Sequence, residues 1–270
     1  MEGEIVEKSK EFGVAHTLGR GIEYLLLQTS ITRELHEWLA TRYYRWKYSK
    51  ELREYTIPIH PFSLRYVSPD DIVSYSYRAK TEPNAIYDIG SIHGGDWDLK
   101  RRQRSLFKGP SIEETSLYES MRDRFVHGDP WEETEVYRKV VDIVSDGGQA
   151  WHGCRSVADV EERCRELDQL YHSIMEEGYK TQVELRDGPP DISDSFGYLN
   201  RHLLEVCVDI SRNGEFLLID SRHRATLARI LDIETIPVQV IARHQKWIDA
   251  IESAYLSNEL LDHPDFKDCR

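Results

Sequence analysis

The stretch that decides the fold is residues 205–244, which reads EVCVDISRNGEFLLIDSRHRATLARILDIETIPVQVIARH. Two runs of alternating apolar residues flank Asn213-Gly214, a dipeptide typical of a tight β-hairpin with positive φ at both central positions. A short helical pattern begins near Arg222, and a third apolar run follows at residues 236–241. This order predicts a strand, a hairpin turn, a second strand, a helix and a closing strand.

The second strand of this hairpin ends in a polar and basic run, Asp220-Ser221-Arg222-His223-Arg224. A helix that begins here presents free amide groups and the positive end of its dipole, both of which favour an anion. Arginine adds a planar fork of donors that matches phosphate. Cations at a helix N-terminus oppose the dipole when no anion is present, which disfavours a merely solvated helix start. We therefore predict phosphate or nucleotide binding at Arg222, His223 and Arg224, with Asp220 equally suited to capping the helix.

The same segment resembles the nucleotide-binding core of the ParB/sulfiredoxin superfamily. Members of that superfamily carry a strand, a Gly-rich or polar turn ending in His-Arg or Arg-Arg, a helix, and a closing strand of Ile-Pro-Val type. Residues 170–182, LYHSIMEEGYKTQ, resemble the helix, glycine and strand entry that precede the hairpin in ParB proteins. The resemblance covers residues 170–244 and implies an α/β fold, with a mixed sheet and helices packed on it.

The resemblance also implies a function, namely binding of ATP or another nucleotide. Arg224 would be the main phosphate ligand, since an arginine at its place recurs in both family patterns. The superfamily includes a free-serine kinase, in which a carboxylate activates a hydroxyl acceptor. Two positions depart from the family. Arg222 stands where sulfiredoxins have cysteine, so their sulfur chemistry is not expected, and Ser221 replaces a glycine that lets the backbone approach phosphate closely.

A second candidate site is the loop His93-Gly94-Gly95-Asp96-Trp97-Asp98. Paired glycines permit unusual backbone angles, and two carboxylates one residue apart can hold hydrated Mg²⁺ or act as general base. The alternative is an Asp-rich turn anchored by Trp97. The catalytic and metal-binding interpretation of Asp96 and Asp98 requires this loop to reach a ligand held by Arg224.

Three further positions are candidate ligand contacts. Arg243 and His244 follow the predicted closing strand, and strand ends in α/β sheets often border the ligand crevice. A surface Arg-His pair is the alternative. Gln182, together with Lys180 and Thr181, is predicted to enter a strand beside the nucleotide site.

Composition limits the partners that we expect. The net charge of −13 disfavours broad non-specific DNA binding, so DNA is possible but not favoured. Of 35 basic residues 24 are arginine, and this arginine-rich, acidic composition resembles proteins of halophilic archaea, whose acidic surface says less about partners. No apolar run approaches the ~18 residues of a membrane helix, and the N-terminus carries no secretory pattern. The expectation is a cytoplasmic protein without a membrane partner.

The cysteines predict free thiols and no structural metal. Four cysteines are present without a CxxC pair. A zinc site built from His152, Cys154, Cys164 and His172 would match no common ligand spacing.

Periodicity suggests three parts: an N-terminal helical extension (1–55), a ParB/sulfiredoxin-like domain (56–247) with a helical insertion at about 100–155, and a C-terminal tail (248–270). Helical patterns cover residues 18–52, 113–127, 131–145 and 157–177, the last preceded by Ser156 as a cap and followed by Gly178. Residues 56–77 predict the first strand or two of the sheet, with a turn at Ser68-Pro69, and residues 186–200 predict a loop.

Within the first helix, residues 42–48 read RYYRWKY and interleave aromatic rings with cations. Such residues can stack on bases or contact a partner. More often they form an amphipathic helix whose cationic stems cover the rings. We therefore expect these rings to be largely covered.

Three function classes fit the sequence. The first is a small-molecule phosphotransferase or nucleotide hydrolase that acts on an unknown acceptor. The second is a nucleotide-switched, partition-like DNA-binding regulator. The sequence argues against it, because no helix-turn-helix pattern follows the core. The third is a non-catalytic phosphate-binding module.

Overall fold

The computed structural model describes residues 30–82, 84–185 and 199–267 and confirms the predicted α/β class. Six strands form one mixed sheet. The strands are β1 (Arg65–Val67), β2 (Ile72–Tyr75), β3 (Ser91–His93), β4 (Val206–Ile210), β5 (Phe216–Asp220) and β6 (Ile236–His244).

The sheet places β4 and β6, the two longest buried segments, at its centre. The strand order is β1-β6-β4-β5-β2. β3 also pairs with β6, further along that strand than β1 does. β4 runs antiparallel to β5 and parallel to β6, while β2 runs parallel to β5. Every residue of β4 and β6 is buried, because helices and loops cover both faces of the sheet.

The predicted hairpin is confirmed, although its turn differs from the expected one. The Gly214 amide donates to the Ser211 carbonyl, and the Ser211 amide donates to the Glu215 carbonyl. Gly214 has φ of +87°, whereas Asn213 does not adopt positive φ. This is the longer connection in which a type I turn is followed by a left-handed residue. Glycine is also required sterically, since a Cβ there would lie 2.7 Å from the Trp247 ring.

Ten helices surround the sheet in the described residues. They are α1 (Ser30–Tyr48), α2 (Arg78–Thr81), α3 (Ser116–Arg122), α4 (Glu135–Ser145), α5 (Val157–Glu177), α6 (Gln182–Leu185), α7 (Asn200–Leu203), α8 (Arg222–Ile230), α9 (Gln245–Leu256) and α10 (Pro264–Lys267).

The alternating side chains of β4 show how the two faces differ. Val206, Val208 and Ile210 point into the main core, where they meet residues of α8 and α9. Cys207 points into a smaller core on the opposite face. Asp209 shares that second face and is fully buried, so it needs charged and hydrogen-bonding partners.

The helices α3, α4 and α5 form a core of their own. Ser156 caps α5 as expected, and it does so within a capping box completed by Asp159. The helical core extends well beyond the predicted limit near residue 155, because α5 contributes four buried residues to it. Leu227 of α8 also lies in this core, and α8 therefore contacts both the sheet and the helical unit.

Several predicted boundaries are wrong. β6 continues to His244, so Arg243 and His244 lie inside the closing strand and not after it. Gln182 begins the short helix α6, where a strand was expected. α9 packs in the main core, although this segment was expected to be a tail. The predicted N-terminal segment before Ser30, most of the predicted loop at 186–200 and Cys269 lie outside the described residues.

The aromatic run in α1 is covered only in part. Tyr44 and Tyr48 pack at the second core beside Phe62. Tyr43 and Trp46 remain 54% and 61% exposed, so the expectation that these rings are largely covered is wrong for both. Among the described helices, none has the length and apolar character needed to cross a bilayer.

Candidate functional site

The segment after β5 occupies an edge of the sheet that two parallel strands share. Because β2 and β5 run parallel, their last residues, Tyr75 and Asp220, come to the same edge. Ser221 then adopts left-handed φ of +62°, and α8 begins at Arg222. The Ser221 side chain makes no capping hydrogen bond to α8. The first amides of this nine-residue helix therefore face the edge without a side-chain acceptor.

Arg222 is partly exposed at this helix start, and acidic groups do not surround it. Its guanidinium lies 5.2 Å above the Phe107 ring, and its Nη2 donates to Nε2 of His152 at 2.8 Å. Its Nε is buried and has no hydrogen-bond partner in the part of the chain that the structure describes. Burial lowers the pKa of Arg222, with the nearby Asp220 carboxylate opposing the shift. Arg222 therefore keeps donor capacity that the protein itself does not use.

Arg163 lies near enough to lower the pKa of Arg222, and Arg102 and Arg222 both lie near enough to lower that of Lys108. We call Arg102, Lys108, Arg163 and Arg222 the cationic cluster. Burial lowers the pKa of Lys108, and the charges of Arg102 and Arg222 lower it further. Arg102 donates from Nε to the Ser76 carbonyl at 3.1 Å, but its buried Nη2 has no partner among the described residues. Arg163 pairs with Glu166 and acts on the Cys154 thiol, while its buried Nε has no oxygen or nitrogen partner within the described ranges.

Tyr75 adds a neutral donor to the cationic cluster. The residue is 2% exposed, and no described residue makes a hydrogen bond with its hydroxyl. Burial raises the pKa of Tyr75 to about 12, although Arg222 and Arg102 act in the opposite direction. The hydroxyl is therefore protonated at neutral pH and can donate. A buried donor without an acceptor is costly, which indicates that an acceptor belongs at this place.

His223 has a role different from the predicted one. Indole nitrogen is a donor only, and Nε1 of Trp151 donates to Nε2 of His223 at 3.0 Å. Burial, together with the charge of Arg222, holds the pKa of His223 well below its usual range. His223 is thus a neutral ring, and this ring nitrogen is not available to donate to phosphate.

Arg224 is engaged by the protein itself. Its Nη1 pairs with the buried Glu205 carboxylate at 3.2 Å, its Nη2 donates to the Lys180 carbonyl, and its guanidinium lies 4.5 Å above the Tyr179 ring. The Gln182 amide donates to the other Glu205 oxygen at 2.5 Å. The structure therefore does bring Gln182 and Arg224 together, but around a carboxylate of the chain. Arg224, the predicted main phosphate ligand, therefore has partners within the chain, while its buried Nε has none among the described residues.

Asp96 and Asp98 are also engaged, by a residue that the sequence analysis did not single out. Nη2 of Arg212 lies 2.8 Å from Oδ1 of Asp96, from Oδ1 of Asp98 and from the Gly95 carbonyl oxygen. The backbone amide and Nε of Arg212 both donate to Oδ2 of Asp98. His244 closes this group, with its Nε2 2.9 Å from the Gly95 carbonyl.

In this arrangement Asp96 and Asp98 pair with Arg212, so the predicted catalytic and metal-binding roles of the two carboxylates gain no support from the structure. A guanidinium already occupies the place between the carboxylates where Mg²⁺ would have to bind. The loop also lies beside the turn after β4, whereas Arg224 and Glu205 lie before that strand begins. At ~3.3 Å per residue, the strand alone separates the two groups by about 16 Å. The two carboxylates and Arg224 therefore do not face one ligand.

Arg243 is the remaining predicted phosphate contact, and the structure places it in the interior. It is 1% exposed and pairs through two nitrogens with Asp265, which also accepts from Arg65 and from the Trp247 indole. Buried carboxylate pairing of this kind explains the residue without a ligand.

One other group has the composition of a metal site. Glu82, Asp88 and His93 bring ligand atoms within 4.8 Å of one another. Nη1 of Arg78 lies 2.8 Å, 3.0 Å and 2.9 Å from these three atoms, and its other nitrogens reach the buried Asp209. The guanidinium supplies the positive charge that a metal ion would bring, and we assign no metal here.

Sequence reasoning found the correct strand end and helix start but not the residues that complete the cationic cluster. Tyr75 closes an apolar run, and Arg102 and Lys108 lie in a loop without periodic signal, so no local pattern marks them. Comparison of the chain with protein-family models, with curated proteins and with solved structures finds no match in any of the three. The function must therefore be argued from the geometry of the cationic cluster.

Proposed function

We propose that this protein binds a phosphate-bearing small molecule, of which a nucleotide is the best candidate, at the cationic cluster. The observation that carries the proposal is a set of buried donors at the cationic cluster that have no acceptor among the described residues: the Tyr75 hydroxyl, Nη2 of Arg102 and Nε of Arg222. The charged groups around these donors are mostly cations. The Asp220 carboxylate opposes the lowering of the pKa of Arg222 and of Lys108.

Phosphate is the anion that this donor set suits best. Arginine offers paired N–H groups, lysine a point charge, tyrosine a neutral O–H, and the start of α8 its free amides. A phosphate has oxygens enough to accept from several of these groups at once, whereas a carboxylate has two. An anion would also oppose the repulsion among the cations and satisfy the dipole of α8.

The resemblance of residues 170–244 to the ParB/sulfiredoxin superfamily supports a nucleotide as the ligand. Within that frame the phosphate ligand would be Arg222 and not Arg224. The proposal is limited to binding, because the carboxylates that would serve as general base or Mg²⁺ ligands lie around Arg212. A phosphotransferase or a nucleotide-switched regulator would each require this binding step first.

The test is ligand binding by calorimetry and thermal shift, with inorganic phosphate, ATP, ADP and CTP, each with and without Mg²⁺. Arg222→Ala should weaken binding about 10- to 150-fold, since hydrogen bonds to charged groups contribute about 1.5–3 kcal/mol. Tyr75→Phe removes one neutral donor and should weaken binding about 5-fold.

The matched control is Arg165→Ala, an exposed arginine on α5 that pairs with Glu162. It should bind like the unmodified protein. A response to ATP with Mg²⁺ favours a phosphotransferase, a response to CTP favours the regulator, and a response to phosphate alone favours a binding module. Unchanged affinity in a folded Arg222→Ala protein, or no response to any ligand, contradicts the proposal.

A further inference from the structure

The exposed side of α1 differs from the rest of this acidic protein. From Arg42 to Lys50 the chain carries four basic residues and no acidic one, although the net charge of the whole chain is −13. Arg53 adds a fifth cation one turn later. We call this surface, with its exposed rings at Trp38, Tyr43 and Trp46, the α1 surface.

The cations of the α1 surface have no acidic partners among the residues that the structure describes. No ion pair is formed by Arg42, Arg45, Lys47, Lys50 or Arg53 within the described residues. Glu51 lies close in sequence, but its carboxylate accepts the Ile92 amide at 2.6 Å. Elsewhere on the surface, exposed basic residues commonly pair with acids, as Arg104 does with Glu119. The unpaired charge of the α1 surface is therefore available to a polyanion.

Aromatic rings lie among these cations on the same side of the helix. Trp38 and Trp46 are 52% and 61% exposed, and Tyr43 is 54% exposed. The Arg42 guanidinium lies 4.2 Å above the Trp38 ring, and the Arg53 guanidinium lies 5.8 Å from the Trp46 ring. Tyr44 and Tyr48 on the other side hold the helix against the second core.

A groove gives this surface a shape suited to a ligand. It has a volume of about 500 Å³ and is lined by residues that include Arg42, Arg45, Trp46, Arg53, Tyr55 and Pro58. Its walls thus combine three guanidinium groups with aromatic faces. This is the combination by which proteins hold single-stranded nucleic acid, with cations on the backbone phosphates and rings stacked on the bases.

We propose that the α1 surface binds single-stranded nucleic acid, with bases stacked on Trp46 and Trp38 and phosphates held by Arg42, Arg45 and Arg53. An anionic membrane suits it less well. An interfacial helix separates an apolar face from a polar one, whereas here rings and guanidinium groups share one face. An acidic peptide would use the charge but not the exposed rings.

The test is fluorescence anisotropy of the full chain with a labelled oligothymidylate or oligouridylate of about 20 nucleotides, longer than the ~4–16 nucleotides that one single-strand binding domain covers. Trp46→Ala should weaken binding about 5- to 150-fold, because base stacking contributes about 1–3 kcal/mol per ring. Arg42→Ala should reduce the slope of log affinity against log salt by about 0.7.

Two matched controls separate this surface from general adhesion. Tyr66→Ala removes an aromatic ring of similar exposure on β1, and Arg165→Ala removes an exposed arginine on α5. Both should bind the oligonucleotide like the unmodified protein. Equal affinity in Trp46→Ala, competition by polyphosphate as strong as by the oligonucleotide, or binding to phosphatidylserine vesicles without binding to the oligonucleotide would each overturn the proposal.

Discussion

Charged side chains at the two ends of the central strand β4 differ in whether groups of the chain satisfy their hydrogen bonds. At the end near the hairpin turn, Arg212 meets Asp96, Asp98 and a carbonyl oxygen, so that its donors face acceptors of the chain. At the other end, beyond β5, Arg222 keeps a buried nitrogen without an acceptor. The first group is complete without a ligand, whereas the second is not. A cluster of charged residues indicates a binding site when its hydrogen bonds remain unmade, and not merely because charges gather there.

Two arginines that are only two positions apart in α8 differ in their surroundings, although each has a buried Nε without a partner among the described residues. Arg224 is enclosed by Glu205, the Lys180 carbonyl and the Tyr179 ring. Arg222 stands over Phe107 beside other cations. Arg224 is part of the folded core, whereas Arg222 adds unbalanced positive charge at the edge of the sheet. Substitutions at these positions should therefore act on different properties.

The largest effect is expected for Arg224→Ala. Glu205 is fully buried, and removing one partner of a buried ion pair costs about 3–5 kcal/mol of the free energy of unfolding. Burial already raises the pKa of Glu205, and loss of Arg224 should raise it further. Because a raised folded-state pKa gives stability that is lost as pH rises, the variant should be least impaired in mild acid. Urea unfolding at several pH values measures this.

The control for that prediction is the double substitution Arg224→Met with Glu205→Met. Replacing a buried ion pair by apolar side chains of similar volume is often neutral, so the double variant should regain most of the lost stability. A single Arg224→Ala variant as stable as the unmodified protein would contradict the structural role of this pair.

A smaller loss is expected for Asp98→Ala at the hairpin end, about 2 kcal/mol of the free energy of unfolding. Asp98 is buried and accepts three hydrogen bonds from Arg212. Burial raises the pKa of Asp98, but the hydrogen bonds from Arg212 lower it more, leaving it below its usual range. A lowered folded-state pKa gives stability that is lost on acidification, so the difference from the unmodified protein should shrink as the pH falls below about 4.

Phosphate affinity should stay unchanged in the Asp98→Ala protein, which calorimetry can check. The matched variant is Asp96→Ala, whose carboxylate is mostly exposed and should matter less for stability. Loss of phosphate binding in either folded variant would show that both ends of β4 belong to one binding site. The difference between the two ends would then not hold.

The smallest effect on stability is expected for Arg222→Met. Without a ligand the substitution removes a half-buried cation from among like charges, so the free energy of unfolding should rise by about 0.5–1 kcal/mol, as is common when a functional residue is replaced. Phosphate should then no longer raise the melting temperature, since the stabilisation follows ligand affinity. A variant that is destabilised as strongly as Arg224→Ala would make Arg222 structural as well.

Local patterns in the sequence predict most of the secondary structure. The alternation of apolar residues around Asn213-Gly214 correctly indicates β4 and β5, and the helical spacing after Ser156 correctly indicates α5. What fails is the end of an element. Because they are polar, Arg243 and His244 were predicted to follow the closing strand. β6 nevertheless continues through them, because Asp265 and the Gly95 carbonyl give them buried partners.

The candidate site is less predictable, since it depends on contacts between residues far apart in the chain. The basic run after β5 identifies the correct helix start. It does not reveal that Glu205 pairs with Arg224, 19 positions away, or that Arg212 pairs with Asp98, 114 positions away. Ion pairs that form only when the fold brings distant residues together leave no local pattern. Arg102 and Lys108 are recognisable as part of the site only once the sheet has brought their loop to Tyr75 and Asp220.

The position of α8 has a consequence for how the molecule unfolds. Ala225 and Ala228 of this helix lie in the sheet core, while Leu227 lies in the core of the helical unit. This one short helix thus contributes to two apolar cores, and neither core can unfold fully without exposing the helix to solvent. An anion held at the first turn of α8 would slow hydrogen exchange of amides in β4 and α5 alike, by an equal free energy in each, although neither element touches the ligand.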